Sequence, residues 1–214
     1  MIDFRSDNTG RAAPEILDAL IRANRGTALG YGGDDWTAAL QQRFCELFET
    51  AVRVFPVATG TAANALALAS LGPSWGIVYC SEVAHINTAE ANAAGFFGGG
   101  VKLATVGGEH GRIEADRLAE ALAGIAPGQI HRGQPSAASL TQATDLGSVY
   151  TLDQIRAVAE VARGAASSSI WTARVLPMPW LGWAAAQPRR PGAPASTSCR
   201  SGRQRTAARC AMRS

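Results

Sequence analysis

The chain has 214 residues with a formal net charge of +3, 47% hydrophobic and 7% aromatic, enough for one sizeable α/β domain or part of a larger one. No apolar run reaches membrane-spanning length and residues 1–7 carry no signal-peptide pattern, so a cytoplasmic protein without a membrane partner is expected. Cys45, Cys80, Cys199 and Cys210 make no C-x-x-C pair, and His85, His110 and His131 stand far apart with no H-E-x-x-H, so reduced thiols and no metal site are expected.

Residues 1–13 are polar and without periodicity, and a helix over 14–24 follows, with Pro14 in its first turn and Ile16, Leu17, Leu20 and Ile21 on one side. The loop Tyr31-Gly32-Gly33-Asp34-Asp35-Trp36-Thr37 has the composition of a turn. It leads to an amphipathic helix over 37–50 through Leu40, Phe44, Leu47 and Phe48. Residues 52–71 then read as a short apolar strand, the turn Thr59-Gly60-Thr61 and a helix rich in Ala and Leu.

A strand that turns through glycine into a helix aims the helix's unpaired N–H groups and its positive dipole end at one spot, which suits a phosphate. The stretch Thr59-Gly60-Thr61-Ala62-Ala63-Asn64 has neither the G-x-G-x-x-G of a dinucleotide fold nor the Lys-Ser or Lys-Thr of a nucleotide-triphosphate loop. What remains is an isolated monophosphate held by backbone N–H groups and the Thr61 hydroxyl, or a corner with no ligand, since such corners are common in α/β domains.

A buried strand over 76–80 runs into Ser81 to Glu90 and places His85 past a strand's carboxyl end, where open α/β sheets gather ligands. The alternative for His85 is a capped or solvent-facing residue without a role. Further elements are a strand over 102–105, a helix over 115–123, a strand over 136–141 and a helix opened at Thr151 by a capping-box pattern and running to Arg163. Strands alternating with helices predict a mostly parallel sheet flanked by helices.

Seven stretches in order, Phe4-Arg5-Ser6-Asp7-Asn8, Tyr31 to Thr37, Leu47-Phe48-Glu49-Thr50, Gly60 to Asn64, Cys80 to His85, Ile130-His131 and Leu140 to Tyr150, resemble the low-specificity L-threonine aldolases. These belong to the β-eliminating lyase group of pyridoxal-phosphate (PLP) enzymes with the aspartate-aminotransferase type of fold, fold type I. The resemblance covers about residues 3–163. It implies cleavage of a small β-hydroxy-α-amino acid to glycine and an aldehyde, with PLP as cofactor. Gly60 and Thr61 would hold the cofactor phosphate and His85 would stack on its ring. Ser6 would meet the substrate carboxylate, while His131, with His85 and with Glu90 through water, would handle the β-hydroxyl. A homodimer or homotetramer is implied for the intact family. The extra glycine before Asp34 departs from the family's Tyr-Gly-Asp-Asp element.

The family also requires a lysine that binds the cofactor covalently and an aspartate that keeps the ring nitrogen protonated, both beyond the helix ending near Arg163. The only lysine here is Lys102. From Gly164 the apolar periodicity stops, and 164–214 holds eight Arg and no Lys, Asp or Glu, leaving the first 163 residues with a net charge of −5. Such a tail reads as disordered. As a nucleic-acid arm it lacks both an aromatic stacking pattern and a recognition helix, so no nucleic-acid partner is expected. A slipped reading frame explains it better. Read one base off, Trp171 with Thr172 gives Asp, Met178 with Pro179 gives Ala and Trp183 with Ala184 gives Gly, and permitted codons elsewhere restore both missing family segments in the right order. The expected layout is a helical segment over 1–50, an incomplete PLP-binding large domain over 51–163 and an off-frame tail over 164–214.

Overall fold

The computed structural model describes residues 10–165 and the backbone of 168–173. Its elements run α1 (Pro14–Ala23), α2 (Asp35–Leu47), α3 (Gly60–Leu71), β1 (Gly76–Ser81), α4 (His85–Thr88), α5 (Ala93–Phe97), β2 (Lys102–Val106), α6 (Ala115–Ala123), β3 (Gln134–Gln142), α7 (Leu152–Gly164) and β4 (Ser168–Ala173). The strands form one sheet in the order β2-β1-β3-β4, parallel at every pairing, which meets the expectation of a parallel sheet with helices.

The pleat sends alternate side chains of β1 to opposite faces. Ile77 and Tyr79 join Ala138 and Leu140 of β3 in a core closed by Leu118 and Leu122 of α6 and Ile155, Val158 and Ala162 of α7. Val78 and Cys80 join Ala137 in a second core, closed by Ala67 and Leu68 of α3 and Ala94 of α5. All six β1 residues are buried, as a central parallel strand covered on both faces requires. Burial pushes the Cys80 thiol up to about 11 and raises the Tyr79 hydroxyl in the same direction.

Three boundaries differ from the sequence expectation for physical reasons. Residues 52–57 form no strand beyond an isolated bridge at Val52. The Gln41 side chain takes the backbone groups a ladder would use, its Nε2 donating to the Val52 carbonyl and its Oε1 accepting from Val54 N at 3.1 Å, while Pro56 has no N–H to offer. Helix α2 starts at Asp35 because Asp34 caps it, accepting from Thr37 N at 2.8 Å and Thr37 Oγ1 at 2.7 Å. Those bonds hold the Asp34 carboxyl below its ordinary value. Within the segment expected to be a disordered tail, residues 168–173 form β4, paired with β3 from Ala137↔Ser168 to Gln142↔Ala173.

Helix α1 is amphipathic as expected, yet none of its residues is buried among the described residues, and Ile16, Leu17, Leu20 and Ile21 are all at least half exposed. No helix among the described residues is long and apolar enough to cross a membrane.

Candidate active site

The sheet order reverses at β1. The connection leaving β1 goes outward to β2, whereas the one leaving β3 goes the other way to β4, so a crevice opens between the carboxyl ends of β1 and β3. Three elements converge there.

The first is the start of α3. Thr59 caps it, its Oγ1 accepting from Ala62 N at 3.1 Å. Gly60 and Thr61 follow at positions whose N–H groups have no carbonyl one turn back to bond. A Cβ built on Gly60 would meet no atom of the described residues within 4 Å, so among them the space over this helix end is open.

The second is His85, which opens the four-residue helix α4 directly beyond β1. The sequence expectation placed it past this strand end, and it sits there with 33% of its side chain exposed. The third is Glu90, whose side chain is only 1% exposed. Its Oε1 lies 2.8 Å from His85 Nδ1 and accepts from Asn64 Nδ2 at 2.7 Å, while Oε2 is buried with no hydrogen-bond partner among the described residues. With Glu90 as carboxylate, Nδ1 of His85 donates and Nε2 is left free to accept. Glu90 therefore contacts His85 directly, and Asn64, in the first turns of α3, ties the helix end that carries Gly60 and Thr61 to the same pair.

The remaining residues singled out from the sequence are not brought to this point. His131 lies in the turn before β3 and, with Trp75, Arg132 and Gln134, lines an open cleft of about 590 Å³. That cleft is at the amino ends of β1 and β3, so the length of β1, roughly 17 Å at 3.3 Å per residue, separates His131 from His85. Ser6 lies outside the described residues. Asn64 stood in the quoted Gly60 to Asn64 motif without a role, and the sequence signal for one is a polar, turn-favouring side chain inside an Ala- and Leu-rich helix. Among the described residues no group of three or more His, Cys, Asp or Glu could hold a metal.

This arrangement defines an α/β domain of the kind that receives ligands past the carboxyl ends of parallel strands. Residues 3–168 match the beta-eliminating lyase family, and the chain belongs to that family. A low-specificity L-threonine aldolase from Pseudomonas sp. is 42% identical over 155 residues, covering 72% of this chain and 44% of the relative. The chain thus spans less than half the length of the curated relatives it matches. Among solved structures, the threonine aldolase of Leishmania major matches with a TM-score of 0.64 at 22% identity, over 74% of this chain and 46% of that one. A serine palmitoyltransferase from S. paucimobilis with bound PLP matches with a TM-score of 0.53 at 16% identity, over 74% and 39%. The fold is the large domain of PLP fold type I, incomplete here, as the resemblance implied.

The residues present fit such a cofactor in part. The open end of α3 offers a phosphate seat, and the one-third exposed His85 offers a face for the ring. The covalent lysine has no counterpart. Lys102, the only lysine in the chain, opens β2 opposite Ile77 and so sits at the amino edge of the sheet, exposed to solvent.

Proposed function

We propose that this chain carries the scaffold of a PLP-dependent lyase that cleaves L-threonine and related β-hydroxy-α-amino acids to glycine and an aldehyde, and that the chain as it stands can seat the cofactor but does not turn over. The observation that carries the reading is the hydrogen-bonded series from Asn64 through Glu90 to His85, which joins a phosphate-type helix end to a partly exposed imidazole.

In this reading the N–H groups of Gly60 and Thr61 and the Thr61 hydroxyl bind the phosphate, and His85 packs against the ring. PLP, when bound, supplies an electron-accepting ring for the pair released at Cα as the Cα–Cβ bond breaks. The reaction also needs a base for the β-hydroxyl proton. His85 can take it at Nε2 while Glu90 holds Nδ1. The resemblance gives His131 a share in that step and Ser6 the substrate carboxylate. Within a single chain, His85 is the base at the crevice, since His131 stands at the far edge of β1.

The absent lysine fits a reading frame that slipped near Gly164, because the family match ends at residue 168 while the periodic sequence stops at about the same place. The intact form would be a cytoplasmic homodimer or homotetramer, and the exposed apolar side of α1 is the kind of surface such an assembly covers. Treating the purified chain with PLP and then borohydride tests the reading. The expected result is binding that inorganic phosphate displaces, with no stoichiometric reduced adduct on Lys102. A stoichiometric adduct, or uptake indifferent to phosphate, would contradict it.

A further inference from the structure

We infer that Asn64 is a positioning residue for His85, acting through Glu90 to hold the imidazole in one orientation, with its proton on Nδ1 and Nε2 left free. The inference rests on the reading of His85 as the cofactor-facing histidine.

Asn64 lies one turn inside α3, where asparagine is a poorer helix former than the Ala and Leu around it. Its half-buried amide reaches out of the helix to Glu90 Oε1 at 2.7 Å, the same oxygen that His85 Nδ1 approaches at 2.8 Å. Glu90 Oε2 is equally buried and has no partner among the described residues. Among the described residues, the hydrogen bonding that compensates this buried carboxylate therefore converges on one oxygen. Two donors arriving from different elements fix the carboxylate plane. With Asn64 removed, His85 alone would hold it, the carboxylate would turn about its last side-chain bond, and the imidazole would lose its fixed acceptor.

The backbone beside Glu90 supports a placement made for the side chain. Ala91 and Asn92 follow it with φ of 49° and 60°, left-handed values that non-glycine residues seldom adopt. That tight turn delivers the carboxylate beneath His85 before α5 begins. Because Asn64 shares the first turns of α3 with Gly60 and Thr61, the same bond sets the spacing between the phosphate seat and the imidazole. An imidazole whose tautomer is set by a carboxylate is a recurring way to prepare one nitrogen for chemistry.

The test reads the ring directly in the cofactor-free chain. Long-range proton–nitrogen spectra of the ¹⁵N-histidine-labelled protein, with His85 assigned by the signals lost in His85→Gln, report which nitrogen carries the proton. The expected result is a dominant Nδ1–H form whose ratio to the Nε2–H form falls by roughly ten-fold in Asn64→Leu, the scale of a hydrogen bond to a charged group, while the His110 ring is unchanged. Should Asn64→Leu fail to fold, Asn64→Ser, polar but too short to reach Glu90, is read the same way. A dominant Nε2–H form in the native chain, or a ratio unmoved by the substitution, would overturn the inference. A chain that responds as expected yet takes up no PLP would sink the proposed function and leave the positioning role standing; an unmoved ring in a chain that does take up PLP would do the reverse.

Discussion

Asn64 and Glu90 are 26 residues apart, and nothing in their local sequence announces that they touch. The contact exists because β1 carries the chain from the end of α3 across the sheet and returns it to the crevice through α4. His85 was legible by a simpler rule, since a polar residue just past a buried strand falls where α/β sheets bind ligands. Gly60 was legible as a corner but not as an open one. With no atom of the described residues within 4 Å of its Cβ position, packing among them does not demand a glycine there. Gly60→Ala should therefore fold with an unchanged or slightly higher melting temperature, because alanine is the better helix former. It should weaken phosphate-displaceable PLP binding by about ten-fold or more, roughly 1.4 kcal/mol, as a methyl group enters the space the phosphate would occupy. Unimpaired binding would remove the phosphate seat from the account.

At the level of elements, the capping box at Thr151 was read from four residues and is present in full, with Gln154 N donating to Thr151 Oγ1 at 3.3 Å and Thr151 N donating to Gln154 Oε1 at 2.9 Å. The information there is local, which is why the sequence sufficed. The strand expected before Thr59 failed for a reason that is not local, since the Gln41 amide reaches across from α2 to bond the backbone of Val52 and Val54. Helices α4 and α5, of four and five residues, are too short to show a 3.6-residue period, so the sequence offers no helical pattern for them. Because α7 closes one core through Ile155, Val158 and Ala162, its cap bears on global stability. Thr151→Ala should lower the unfolding free energy by about 1 kcal/mol in urea titration. A change indistinguishable from zero would mean that packing alone holds the start of α7.

At the scale of the whole molecule, the parallel sheet and its two covered faces follow from the alternation of short apolar runs with amphipathic stretches. The assignment of side chains to faces had to wait for the register. Burial of titratable groups in those faces gives the stability a pH dependence with a definite sign. Cys80 is held protonated in the folded state, and Tyr79 and Tyr150 are shifted the same way, for all three mainly by burial. A raised folded value contributes stability that is complete below the unfolded value and is lost as pH rises. For Cys80 the loss falls between 9.0 and about 11, on the order of 2–3 kcal/mol. Urea midpoints should therefore decline across that window, and a flat profile would contradict the burial of these groups.

The amphipathic side of α1 was also legible, but not its exposure, because a hydrophobic stripe predicts that a helix is covered without saying by what. The chain's relation to a complete lyase is a matter of the same scale, for the scaffold over 3–168 matches the family while the one lysine sits at the wrong edge of the sheet. The most direct measurement is glycine release from L-threonine by the product of a coding sequence shifted into the second frame beyond Gly164. The expected result is PLP-dependent glycine and aldehyde formation that disappears when the restored lysine is replaced by alanine. A folded product that releases no glycine with PLP present would contradict it.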